Sequence, residues 1–89
     1  SGYLAAKSEE MRLNIPERVL SVWLQELQLE RVESEDSFFD LGGNSLVASR
    51  VADQLSRDLG IEVSIADLFD FDTLGVFTKM IIGKVLAES

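Results

Sequence analysis

The chain passes from loop to helix at FFDLGGNSL, residues 38–46 of 89. The stretch opens with Phe38 and Phe39, which can anchor a loop to a core. Gly42-Gly43 then permits a positive φ or a close backbone approach. Asn44 and Ser45 are typical of a helix N-terminus, where a side-chain oxygen accepts a hydrogen bond from a free backbone N–H. The stretch therefore predicts an anchored loop that ends at the first turn of a helix.

Helical periodicity surrounds this stretch on both sides. Downstream, the apolar spacing predicts a helix from Ser45 to Leu59, and Gly60 is well placed to end it in the left-handed conformation. Upstream, a helix is expected to begin near Pro16, a residue tolerated in a first turn, and to end near Leu29. Residues 30–44 between the two helices form a long loop, the kind that is usually functional or anchored by its own side chains. The expected anchors are Phe38, Phe39 and Leu41.

Two further helices are expected before the C-terminus. A short one covers Ile65–Phe69 with Ser64 as N-cap, and a last one, capped by Asp72 or Thr73, runs to about Leu86. With no strand pattern, the fold class is all-α: a small four-helix bundle with a long first loop and a short third helix. Residues 1–14 are interpreted as a linker or lead-in, and residues 15–89 as the domain. The aromatic residues expected in the core rather than on a binding surface are Trp23, Phe69 and Phe77.

Composition excludes several classes of function. The chain lacks cysteine and histidine, so it offers no disulfide, no histidine- or cysteine-based zinc site and no histidine to activate a nucleophile. The segment Asp70–Gly75 begins like a calcium loop, but Leu74 and Ile81 stand where oxygen ligands are required, so no metal site is predicted. The net charge of −8 disfavours nucleic acid and anionic membranes as partners. No signal peptide or membrane span is visible, and a cytoplasmic location is expected.

Ser45 has two interpretations. It, or Asn44, can simply cap the second helix. Alternatively its hydroxyl lies at the surface, where an attached phosphate would meet free N–H groups and the positive end of the helix dipole. The chain has no base to activate this serine, so another enzyme would have to carry out the covalent chemistry.

Leu46 does not follow the apolar face of the second helix. On a helical wheel it lies almost opposite the cluster formed by Ala48, Val51, Ala52, Leu55 and Leu59. It could pack under the preceding loop or stand exposed without further meaning. Its position directly after Ser45 favours a contact with a partner protein.

The segment from Phe38 to Leu46 resembles the attachment motif of acyl and peptidyl carrier proteins. The resemblance continues through Leu55, Leu59–Val63 and Leu68-Phe69 to Phe71–Leu74, and so covers roughly residues 16–87. Gly42-Gly43 makes it most similar to the thiolation domains of nonribosomal peptide synthetases. Asn44 replaces the Asp or His more often found before the serine, and Asp72 stands where the family often has proline.

This resemblance implies a non-catalytic carrier domain. A phosphopantetheinyl transferase would move 4'-phosphopantetheine from coenzyme A onto Ser45, with Gly43 and Asn44 flanking the attachment. The thiol of the arm would then carry aminoacyl, peptidyl or acyl groups as thioesters between catalytic domains. Leu46 and Arg50 would contact partners, namely the transferase and adenylation, condensation, thioesterase or other synthase domains.

Two other functions remain open from the sequence. A carrier of a polyketide or free-standing acyl system would differ in cargo and partners but use Ser45 in the same way. Outside the class, a non-catalytic helical interaction domain would bind a partner without any pantetheine. The isolated domain is expected to be a monomer in each case.

Overall fold

The computed structural model describes residues 14–88, which fold into a bundle of four α-helices. Helix α1 spans Ile15–Leu27, α2 spans Ser45–Leu59, α3 spans Ile65–Asp70 and α4 spans Leu74–Glu88. Helix α1 packs against α2 and α4, while α3 packs against α2. This architecture confirms the predicted all-α bundle with a long first loop and a short third helix. Of the linker or lead-in expected over residues 1–14, residues 1–13 lie outside the described part, and Asn14 is the N-cap residue of α1.

The core is built around one aromatic cluster. Trp23 of α1 meets the ring of Phe38 edge-on at 5.0 Å and the ring of Phe77 at 5.6 Å between centroids. All three side chains are fully buried, as predicted for Trp23 and Phe77. The loop residue Phe38 thus occupies the centre of the bundle, and it fixes the loop relative to α1 and α4. The indole N–H of Trp23 is buried without a hydrogen-bond acceptor among the described residues.

Helix α1 ends two residues before the predicted Leu29. Gln28 adopts the left-handed conformation, with φ of 57°, and terminates the helix. The backbone N–H of Leu29 then donates back to the carbonyl oxygen of Leu24 at 3.0 Å, the hydrogen bond that closes a Schellman turn. Leu29 still packs against the core. Its apolar character therefore fitted the helical period although its backbone lies outside the helix.

The remaining helix ends lie close to their predicted positions. Helix α2 has the predicted bounds, and Gly60 ends it with φ of 66°. Ser64 caps α3 in a reciprocal capping box with Asp67. At the start of α4, the hydroxyl of Thr73 accepts a hydrogen bond from the backbone N–H of Val76 at 3.4 Å. Asp72, the other candidate cap, instead accepts a hydrogen bond on its carboxylate from the Ser37 hydroxyl at 3.1 Å.

Among the helices of residues 14–88, none combines the length and apolar content that crossing a bilayer requires.

Candidate functional site

The loop before Ser45 is tied to the start of α4. Ser37 and Thr73 form an isolated antiparallel bridge. Within it, the N–H of Phe38 donates to the carbonyl oxygen of Asp72 at 2.7 Å, and the N–H of Leu74 donates to that of Asp36 at 3.2 Å. Ordering a loop of this length raises the free energy of the folded state, because each fixed residue loses conformational entropy. The bridge and the buried Phe38 ring together hold the loop in place.

The two glycines of the loop serve different purposes. Gly42 has a φ of +101°, a conformation that side chains disfavour, and a Cβ there would meet open space. Gly43 instead allows a close approach: its N–H donates to the carbonyl oxygen of Phe38 at 3.1 Å. A Cβ at Gly43 would lie 2.7 Å from that oxygen and closer still to the Phe38 ring. Both uses of glycine that the sequence allowed are therefore present, one at each position.

Asn44, not Ser45, caps α2. The Oδ1 atom of Asn44 accepts a hydrogen bond from the N–H of Val47 at 2.9 Å, and the backbone of Asn44 is extended. Ser45 is the first helical residue and is exposed. Its hydroxyl makes no hydrogen bond within residues 14–88. The capping alternative is thus satisfied by the neighbouring residue, which leaves the Ser45 hydroxyl available for chemistry.

The surroundings of Ser45 suit a phosphodiester. Within the described chain, the backbone N–H groups of Ser45 and Leu46 have no acceptor, as is usual for the first residues of a helix. These groups and the helix dipole favour negative charge at this end of α2. Residues 41–52 contain no carboxylate although the chain carries a net charge of −8. Their single charged residue, Arg50, is exposed and has no ion-pair partner among residues 14–88.

Leu46 stands at the surface beside Ser45. It is 62% exposed, whereas Ala48, Val51 and Leu55 on the opposite face of α2 are fully buried. The helical wheel therefore placed Leu46 correctly, and the alternative that it packs under the preceding loop is wrong. The site thus presents a hydroxyl, a large apolar side chain and an unpaired guanidinium on the exposed first turns of one helix.

Phe69 corrects the predicted core. It is 56% exposed, while its neighbour Leu68 is fully buried. On a one-and-a-half-turn helix, adjacent side chains point about 100° apart, so only one of the two can face the core. The ring of Phe69 instead stacks on that of Phe39 at 4.5 Å between centroids. The adjacency of Leu68 and Phe69 was a usable signal for this outcome, but their shared apolar character concealed it.

Comparison with known proteins matches this arrangement to a family. Residues 17–81 match the family described as phosphopantetheine attachment site. The chain is 37% identical over 70 residues, 79% of its length, to a linear gramicidin synthase protein of Brevibacillus parabrevis. It is 48% identical over 63 residues, 71% of its length, to malpinin synthetase of Mortierella alpina. The chain spans about 1% of the length of each of these relatives.

A solved structure supports the same assignment. The chain resembles a chain in the structure of the phosphopantetheine transferase Sfp in complex with coenzyme A and a peptidyl carrier protein. The match has a TM-score of 0.73 and 25% identity and covers 78% of this chain and 90% of that one. The chain belongs to the phosphopantetheine attachment-site family and is a non-catalytic carrier domain of the kind found in nonribosomal peptide and polyketide synthetases.

Proposed function

We propose that Ser45 is the residue to which 4'-phosphopantetheine is attached, and that residues 15–89 form the carrier domain. The observation that carries this proposal is that the cap hydrogen bond of α2 is made by Asn44 and not by Ser45. Asn44 caps the helix through Val47, so the exposed hydroxyl of Ser45 has no structural hydrogen bond to maintain. When attached, the group supplies a thiol that carries acyl or aminoacyl cargo.

The chain's own part in the attachment is to present and orient the hydroxyl. The Oγ–phosphorus bond forms as coenzyme A loses adenosine 3',5'-bisphosphate, and the hydroxyl proton must leave with a base. This chain has no histidine, and the Ser45 hydroxyl contacts no acceptor within residues 14–88. The base therefore belongs to the transferase. The free N–H groups at Ser45 and Leu46 and the lack of carboxylates in residues 41–52 fit the negative phosphodiester that results.

Partner enzymes are proposed to dock on the exposed start of α2. Leu46 offers apolar area to a partner, and Arg50 offers a cation that no carboxylate of the described chain neutralises. A partner surface with an apolar depression and an acidic group would complement this pair.

The partners that fit are the transferase and the adenylation, condensation, thioesterase or other synthase domains of a nonribosomal peptide synthetase. The similarity to the peptidyl carrier protein in the transferase complex favours an aminoacyl or peptidyl cargo. We also propose the cytoplasmic location that the cysteine-free sequence favours.

The proposal is tested by incubating the chain with coenzyme A, magnesium and a broad-specificity phosphopantetheinyl transferase. Intact-protein mass spectrometry should show the gain of one phosphopantetheine on the parent chain and none on Ser45→Ala. Ser49→Ala is the matched control, since it removes an exposed hydroxyl one turn further along α2. The proposal is wrong if folded Ser45→Ala still gains the group or if Ser49→Ala abolishes the gain. A folded, initially unmodified parent that gains nothing would favour the alternative of a plain interaction domain.

A further inference from the structure

Helix α3 buries little side-chain surface of its own. It has six residues, of which Leu68 is the single buried one. Isolated helices shorter than about 12 residues are marginal in water. The position of α3 therefore depends on what ties its ends to the rest of the bundle.

One tie comes from α2. The hydroxyl of Ser56 accepts a hydrogen bond from the N–H of Val63 at 3.1 Å, and it donates to the carbonyl oxygen of Ala52 at 2.8 Å. Ile61 and Val63 are buried. These contacts fix the connection that leads into α3 as far as its N-cap, while within α3 the buried contact to the core is made by Leu68.

The second tie comes from α4. Lys84 Nζ donates to the carbonyl oxygen of Glu62 at 2.7 Å and to Oδ2 of Asp67 at 3.0 Å. The same Oδ2 atom accepts the backbone N–H of Ser64 at 3.0 Å, the hydrogen bond that closes the capping box. One ammonium group thus bridges the two sides of the helix cap. Both side chains are partly buried, 35% exposed for Lys84 and 17% for Asp67, which strengthens the ion pair relative to a fully solvated one.

The far end of α3 leads back to the attachment loop. Phe69 stacks on Phe39, and the Phe39 ring meets the Phe38 ring edge-on at 5.2 Å. The carbonyl oxygen of Phe38 accepts the N–H of Gly43, two residues before Ser45. A continuous series of contacts therefore joins the first turn of α3 to the loop that presents the hydroxyl.

We propose that Lys84 is a positioning residue that reaches from α4 to fix the first turn of α3 and, through it, the placement of Phe69 against the loop that presents Ser45. Among residues 14–88, no side chain of α3 makes a hydrogen bond to Ser45. Displacement of α3 is therefore expected to weaken recognition of the carrier by the transferase rather than to slow the chemical step. This functional consequence rests on the proposed attachment at Ser45, whereas the positioning itself does not.

The positioning is tested by amide exchange measured by nuclear magnetic resonance on Lys84→Met. The amide of Phe71, which donates to the carbonyl oxygen of Asp67 at 2.9 Å, reports on α3, and that of Leu55 reports on the core of α2. Exchange at Phe71 should accelerate on the order of tenfold while exchange at Leu55 stays unchanged, because α3 opens locally. Lys84→Arg, which can donate to both acceptors, should restore slow exchange. Lys79→Met is the matched control, since it removes the same charge from an exposed position of α4 without an ion-pair partner in residues 14–88.

Asp67→Asn supplies a second, independent variant. It removes the charge that Lys84 binds but keeps a side chain that can accept the N–H of Ser64. Adding Lys84→Met in this background should change exchange at Phe71 far less than it does in the parent chain, as expected for two members of one interaction. The proposal is overturned if Lys84→Met leaves Phe71 unchanged, accelerates Leu55 equally, or acts no differently from Lys79→Met.

Transferase kinetics test the functional half. For Lys84→Met the KM for the carrier should rise several-fold with kcat unchanged, and Lys84→Arg should restore the parent value. An unchanged KM beside altered exchange at Phe71 would overturn the link to the loop. If the parent chain accepts no phosphopantetheine at all, the attachment proposal fails, while the exchange experiment still decides the role of Lys84.

Discussion

At the scale of single residues, Asn44 and Ser45 differ in what their side chains contact. Asn44 accepts the N–H of Val47, and Ser45 contacts no hydrogen-bonding group of the described chain. Replacing Asn44 with alanine should therefore lower the free energy of unfolding by about 1 kcal/mol, the usual cost of a lost N-cap. Ser45→Ala should leave it nearly unchanged. Urea denaturation followed by circular dichroism measures both, and a larger loss for Ser45→Ala would contradict the assignment of the cap.

Leu46 gives a second prediction at this scale. Leu46→Asp removes exposed apolar area beside the hydroxyl, and it places a carboxylate in the first turn of α2, where the helix dipole tolerates it. Because we propose that Leu46 contacts the transferase, the enzyme should act on this variant about tenfold more slowly in kcat/KM, which corresponds to a loss of about 1.4 kcal/mol. The far-ultraviolet circular dichroism spectrum and Tm should be unchanged.

Ser49→Asp is the control for Leu46→Asp. It adds the same charge to an exposed position of α2 without removing an apolar side chain. Equal slowing by both variants would mean that charge alone weakens docking. An unfolded Leu46→Asp chain would mean that Leu46 belongs to the core.

At the scale of elements, the attachment loop depends on the absence of a side chain at Gly43. A Cβ there would lie 2.7 Å from the carbonyl oxygen of Phe38, and the fully buried Phe38 ring cannot move aside freely. Gly43→Ala should therefore destabilise the fold by about 1–3 kcal/mol. Gly83→Ala is the control. Gly83 lies in the middle of α4 and a Cβ there would meet open space, so the change should stabilise the fold by up to about 1 kcal/mol. Thermal unfolding should shift in opposite directions for the two variants, and a stabilised Gly43→Ala would show that the loop is not closely packed.

The cap of α3 gives a prediction of pH dependence. Partial burial raises the pKa of Asp67, but hydrogen bonds from the Ser64 backbone and from Lys84, with the positive charge of Lys84, more than offset it. The pKa therefore lies below the ordinary value of 3.8. Because the folded-state pKa is the lower one, the stabilisation from Asp67 is fully present above the unfolded value and is lost as the pH falls through the folded one.

Asp67→Asn isolates this contribution from that of the other carboxylates. The parent chain should be more stable than the variant at pH 7, and the difference should shrink as the pH falls from about 4 to 2. Denaturant unfolding at a series of pH values measures it. A difference that stays constant across this range would show that the ionised form of Asp67 contributes nothing.

At the scale of the whole molecule, the sequence predicted what local chemistry determines. Helix α2 has its predicted bounds because Asn44 and Gly60, which end it, act on neighbouring backbone groups. The end of α1 was predicted two residues too late because Gln28, rather than the usual glycine, adopts the left-handed conformation there. The stacking of Phe69 on Phe39 and the ion pair between Lys84 and Asp67 were missed, since they depend on contacts 30 and 17 residues apart, which no local pattern reports. The exposed position of Ser45 at the start of α2 was predictable because it depends on a local turn and a helix end.

The most direct test of Ser45 as the attachment residue is to locate the modification within the chain after transfer from coenzyme A. Trypsin should release residues 32–50, the peptide between Arg31 and Arg50, which contains Ser34, Ser37, Ser45 and Ser49. Fragmentation of this peptide by tandem mass spectrometry distinguishes the four hydroxyls. We expect a single phosphopantetheine on Ser45, with the other three serines unmodified. A modified peptide whose fragments place the group on Ser34, Ser37 or Ser49 would contradict the assignment.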